Sequence, residues 1–163
     1  MKESRTDTCN TESPMAKAEM LIRKPVAEVF AAFVDPAITA QFWFTRGSGR
    51  LEPEARVRWE WEVYGVSAEV DVLEMEPERR ILVAWPGEHG STTVEWRFTP
   101  LADGTFVSII NSGFGGDADQ MVQQAIDATE GFTLVLAGLK AYLEHGLRLG
   151  LVADRFPVEL ATR

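Results

Sequence analysis

The sequence predicts an α+β fold in which a curved antiparallel sheet wraps around one long C-terminal helix, with two short helices after the first strand. Two features point to it. From about residue 50 to residue 111, apolar and polar residues alternate with a period of two, broken only by turn residues, as in strands with one wet face and one buried face. From Ala118 to about His145 the period is helical, and at about 1.5 Å per residue such a helix runs roughly 40 Å, enough to cross the sheet.

The elements follow in order. Residues 1–14 are polar, end in Ser13-Pro14, and read as a disordered N-terminal tail. MAKAEMLIRK alternates as a first strand. Pro25 then opens a helix with Val26, Val29, Phe30 and Phe33 on one face, and Asp35-Pro36 ends it and starts a second, PAITAQFWF, with Ile38, Phe42 and Trp43 as its buried side. In RVRWEWEV the residues Val57, Trp59, Trp61 and Val63 alternate with Arg56, Arg58, Glu60 and Glu62, so the indoles point inward together.

Tyr64-Gly65, Pro77-Glu78, PGEHG and Ala102-Asp103-Gly104 are turns. They separate SAEVDVLEME, RRILVAW, STTVEWRFT and TFVSIIN, a meander that buries Ala68, Val70, Val72, Val94, Trp96 and Phe98. Asp117 or Asp119 caps the long helix, whose apolar stripe is Val122, Ala125, Ile126, Thr129, Phe132, Val135, Leu136, Leu139 and Leu143. Residues 15–150 make the domain. Residues 151–163 form a C-terminal tail of unassigned packing: apolar enough to pack, but barred by Pro157 from forming a long helix.

Composition narrows the function. With 25 acids against 16 bases, a net charge of −9 and no basic cluster, the chain is not expected to bind nucleic acid. Its single cysteine, Cys9, allows no disulfide framework and no cysteine metal site. No apolar run approaches the roughly 18 residues of a membrane span, and the opening lacks a signal-peptide core, so a cytoplasmic protein without membrane insertion is expected.

No phosphate loop, nucleophile elbow or HExxH motif occurs, and neither a cofactor nor a metal is expected. His89, in a turn, and His145, near a helix end, read as exposed structural residues; the functional reading of His89 is a group at a cavity mouth. The acidic runs 52–54 and 74–78 read as a solvated rim. An apolar sheet face under a single helix is either filled by side chains or partly open as a cavity. The expected lining of such a cavity is Trp59, Trp61, Val70, Trp85, Trp96 and Phe98 from the strands, Asn111 from the last strand, and Thr129, Phe132 and Leu136 from the helix. Indoles give an apolar wall with a few N–H handles, suited to a flat ligand. Asn111 and Thr92 share the inward parity and must be hydrogen-bonded, to a ligand or to the fold itself. Phe106 and Ile110 point to the opposite face and mark a contact surface, for the first helices or for a second copy in a homodimer.

The stretches VAEVFAAFVDPAITAQFWF, RVRWEW, EVDVLEMEPERRILVAW, GSTTVEWRFTPLADGTFVSIINSGF and EGFTLVLAGLKAYLE resemble, in that order, the domain of the activator of heat-shock-protein ATPase homologues. That domain belongs to the START-like (SRPBCC) superfamily with the helix-grip fold, and the resemblance runs from about residue 17 to 146. Two positions depart from the pattern: Glu54-Ala55 stands where the family often has Gly-Gly, and Phe132 where a Trp often follows the helix glycine; both are expected near the cavity. The resemblance implies a hydrophobic or aromatic small molecule held between sheet and C-terminal helix. It also admits a polyketide cyclase- or aromatase-like enzyme, for which Asn111, Thr92 and Glu130 would be the polar groups, and a chaperone ATPase activator-like module. The missing catalytic constellation favours binding without chemistry.

Overall fold

The structure is a computed structural model and describes residues 13–161, so most of the expected N-terminal tail, with Cys9, lies outside the described residues. Strand β1 (Ala16–Ile22) leads into helices α1 (Val26–Val34) and α2 (Pro36–Thr39). Pro25 precedes the first turn of α1 as its N-cap. Asp35 ends α1 and caps α2 by accepting from the Ala37 amide at 3.0 Å. The second helix is shorter than its sequence pattern, stopping at Thr39, and residues 40–45 run on as an irregular segment. Thr39 welds the helix pair: it is fully buried, with Oγ1 2.5 Å from the Ala32 carbonyl.

The meander follows as β2 (Arg46–Gly47), β3 (Arg56–Trp61), β4 (Val66–Glu76), β5 (Arg80–Gly87), β6 (Gly90–Leu101) and β7 (Gly104–Ser112). With β1 it makes a seven-stranded antiparallel sheet in the order β1-β7-β6-β5-β4-β3-β2. The two-residue β2, too short for any periodicity, is absent from the sequence pattern. Val63 departs from its expected inward parity because β3 ends at Trp61; a 3₁₀ turn, Glu62–Tyr64, carries Val63 out to solvent. The inward parity of the other strands holds: Val70, Val83, Val94, Val107 and Ile109 are fully buried.

Helix α3 (Ala118–His145) starts on a capping box, with Asp117 accepting from the Gln120 amide and the Gln120 side chain from the Asp117 amide, both at 2.9 Å. It ends at Gly146 in the left-handed conformation. Two members of the expected stripe are displaced. Val122 and Ile126 are about half exposed, and the first half of α3 packs instead on the start of β1 and Phe114 through Met121, Ala125 and Ala128. The face that is covered runs through Ala125, Phe132, Val135, Leu136 and Leu139, all members of the expected stripe. Gly138 lets the irregular segment approach closely, since a Cβ there would lie 3.2 Å from the Phe42 carbonyl oxygen. Beyond α3, two single-turn helices, α4 (Leu151–Asp154) and α5 (Val158–Ala161), order the C-terminal segment.

Phe106 and Ile110 are half-buried rather than exposed, because β1 runs alongside β7 and sets Leu21 opposite Phe106. Glu54 adopts φ 64° in the turn before β3. That left-handed backbone is cheap for glycine and costs other residues about 1–2 kcal/mol. Glu54→Gly should therefore stabilise the protein by roughly 1 kcal/mol, after the loss of unfolded-state restriction is subtracted. Urea denaturation with an unchanged slope and a raised midpoint is the expected result.

Candidate ligand-binding site

All five tryptophans of the chain gather in one aromatic cluster, and Trp43 is its centre. Its ring centroid lies 5.0 Å from that of Trp59, 6.3 Å from Trp61, 5.8 Å from Trp85 and 6.1 Å from Trp96. Trp43 and Trp85 are parallel to within 2°, and Phe132 of α3 stands nearly edge-on to both, at 5.9 and 6.4 Å. Trp59 stacks on Phe44 at 5.0 Å. The β3 indoles thus connect to Phe132 through Trp43 and Trp85.

Against this cluster lies a cavity of ≈ 530 Å³. Trp43 and Trp85 form one wall, with Tyr64 and Val66 beside them. The α3 wall is Ala128, Gly131, Phe132, Leu134 and Val135. Val152, Arg155 and Phe156 of the C-terminal segment line a further side of this partly open space. Gly131 has nothing within 4 Å of where a Cβ would stand, so the helix backbone itself faces open space.

Of the ten residues expected to line a cavity, Trp85 and Phe132 do so. Trp59 and Trp96, 2% and 1% exposed, form a layer behind the wall, and Trp61 is half-buried against Trp43, Phe44 and Trp85. The indole N–H of Trp96 has no acceptor among the described residues, a cost borne by the fold. Val70 and Leu136 are fully buried in the core, and Phe98 packs on Phe30 and Phe33. Asn111 is turned to the sheet: its amide donates to Thr92 Oγ1 at 3.0 Å and to the Thr93 carbonyl at 2.8 Å. The two inward polar side chains satisfy one another across β6 and β7. Thr129 lines a separate groove beside Met15, Val122 and Ile126, and its hydroxyl donates to the Ala125 carbonyl.

Besides Val66 and the α3 residues Ala128, Gly131, Leu134 and Val135, the lining residues that pattern alone missed are Trp43, Tyr64, Val152, Arg155 and Phe156. Trp43 reads from the sequence as a buried ring of the second helix, which in the structure stops at Thr39, and Tyr64, Val152, Arg155 and Phe156 lie in a turn and in a tail without periodicity. Two side-chain contacts among the described residues help to fasten that tail. The Tyr64 hydroxyl donates to the Val152 carbonyl at 2.7 Å and lies 3.0 Å from that of Ala153. Arg155 Nε donates to Glu130 at 2.8 Å, and this guanidinium holds the Glu130 carboxyl below the usual carboxylate range. Glu130 therefore sits as an anion at the rim, outside the cavity lining.

The family model described as activator of Hsp90 ATPase homolog 1-like protein matches residues 23–144. The chain belongs to this family. Among solved structures, the SSP2350 protein of Staphylococcus saprophyticus is similar at 29% identity and a TM-score of 0.71, over 83% of this chain and 95% of that one. The Aha1 dimer of Colwellia psychrerythraea superposes with a TM-score of 0.68 at 16% identity, over 81% of this chain and 97% of that one. DynU16, a protein of the dynemicin biosynthetic locus, gives 0.70 at 24% identity over 84% of this chain, which spans only 49% of that one. The helix-grip fold of the superfamily is thereby shared. No curated protein matches the sequence. Among the described residues no helix is long and apolar enough to cross a membrane.

The tail contacts of this family member are directly testable. Tyr64→Phe removes one part-buried hydrogen bond, so local opening of residues 151–161 should rise about fivefold while α3 and the sheet keep their protection in amide exchange. Acidification should act in the same direction. Because the Glu130 pKa is lowered in the folded state, its ion pair contributes above the ordinary carboxylate pKa and is lost as pH falls through the lowered value. Protection factors that fall at acid pH in wild type, and less so in Glu130→Gln, are the expected readout.

Proposed function

We propose that the protein binds an apolar, ring-bearing small molecule in the cavity between the Trp43–Trp85 wall and α3. The observation that carries this is the cavity itself: ≈ 530 Å³, within the range of ligand sites, with aromatic walls and few polar groups. Parallel indoles with an edge-on phenyl beside them offer faces to stack on and an edge to meet a ring. The likeness to a protein of a biosynthetic locus favours a small organic ligand.

Binding without turnover is the better-supported form. No Asp, Glu or His is among the described residues that wall the cavity, and Glu130 is tied to Arg155 at its rim. A cyclase-type reaction needs an acid or base aimed at the substrate. The expected role of Trp59, Trp61 and Trp96 changes accordingly: they set the position of the wall, and Trp43, Trp85 and Phe132 touch the ligand.

A panel of neutral naphthalene-, anthracene- and alkyl-bearing compounds, read by tryptophan fluorescence and thermal shift, tests the proposal. A ligand at about a hundred times its Kd adds about 2.7 kcal/mol, which raises Tm on the order of 5–10 °C. Gly131→Leu should abolish both responses while leaving the fold intact, since it fills open space and replaces a helical glycine that costs about 1 kcal/mol. Silence of the wild type to every compound overturns the reading.

The proposal extends to a homodimer, on the strength of the dimeric Colwellia relative. A strictly monomeric species in sedimentation velocity at tens of micromolar would remove that extension.

A further inference from the structure

A second cavity of ≈ 490 Å³ adjoins the first, between the segment 40–45 after α2 and residues 148–153 leading into α4. The two share Trp43 and Val152 in their linings, so these side chains form the partition between them. Their chemistry differs sharply. The first chamber is aromatic, whereas the second is lined by Gln41, Thr45 and Arg148, an exposed residue with its guanidinium at the protein surface, and no carboxylate is among its lining residues.

That guanidinium is unusual in a chain of net charge −9. Arg23, Arg46, Arg50, Arg56, Arg58, Arg80, Arg97 and Arg155 all have carboxylate partners, and among the described arginines only Arg79 shares with Arg148 the lack of one. Acids outnumber bases in the chain, yet among the described residues none pairs with the one cation of this chamber. An arginine left without a carboxylate beside an apolar cavity is suited to a carboxylate brought by something else, because its planar fork matches that group with two parallel hydrogen bonds.

We infer that the ligand is an amphipathic carboxylic acid, its ring or hydrocarbon body against Trp43 and Trp85 and its carboxylate on Arg148. This rests on the reading that the aromatic chamber binds a ligand. The path between the chambers passes Val152, a half-buried side chain on a four-residue helix. That helix is held to the turn before β4 by the Tyr64 hydroxyl, and a ligand that spans both spaces requires α4 to shift.

The test compares a phenyl-terminated hexanoic acid with its methyl ester, by tryptophan fluorescence titration of the full chain at neutral pH. On wild type the acid should bind about tenfold tighter than the ester, the scale of one charge-assisted hydrogen-bonded pair at a partly wet site. Arg148→Ala should erase that preference and leave ester affinity unchanged, and Arg148→Lys should restore part of it. Equal binding of acid and ester by wild type overturns the inference while leaving the aromatic chamber as a binding site, as does an Arg148→Ala variant that retains the preference. Failure of both compounds, together with silence to the neutral panel, overturns the chamber itself.

Discussion

The packing of Trp43 is the constraint on which the rest of the structure depends. Its indole meets the other four tryptophans and Phe132, so one side chain joins β3, β5, β6 and α3 to the segment that follows the short helices. Aromatic pairs at these separations contribute about 0.5–1.5 kcal/mol each beyond the area they bury. The larger consequence is geometric. A ring this size wedged between sheet and helix prevents the two from closing on one another, and the space beside it becomes the cavity.

Several local features follow from seating that ring. Asp35 ends α1 and starts α2, and the buried Thr39 locks the pair, so residues 40–45 leave α2 on a defined course. Phe42 meets the bare backbone at Gly138 and Phe44 stacks on Trp59, which fixes Trp43 from both sides. The C-terminal segment then lines the open side, held in part by a hydrogen bond from Tyr64 and an ion pair from Arg155. Both contacts lie at or near the surface, where each is worth little, so the wall they hold is the least stable part of the site.

Much of this was legible in the residues. The inward faces of β4 to β7, the limits of α3 and the cap at Asp117 follow from periodicity and side-chain chemistry, because they depend on neighbours a few residues away. Displacements arise where a long-range partner decides. Val122 and Ile126 have the right helical spacing but no sheet beneath them, Val63 has strand parity but follows a 3₁₀ turn, and Thr129 shares the stripe yet faces a different groove. Asn111 illustrates a subtler limit: parity puts it inward, but only the register of β6 on β7 shows that Thr92 and Thr93 take its donors.

The sequence by itself determined the order of the longer elements, the α+β architecture, the family and the aromatic character of the buried face. These are properties of local pattern and composition, and they survive without knowledge of any contact. Tertiary structure alone decided which aromatic rings became wall and which became filler. It brought Trp43, Tyr64, Arg155 and Phe156, which lie in segments without period, to one cavity, and left Arg148 facing a neighbouring space without a carboxylate. The physical reason is that a cavity is what packing leaves over, so its lining is set by the fit of distant side chains and not by the spacing of near ones.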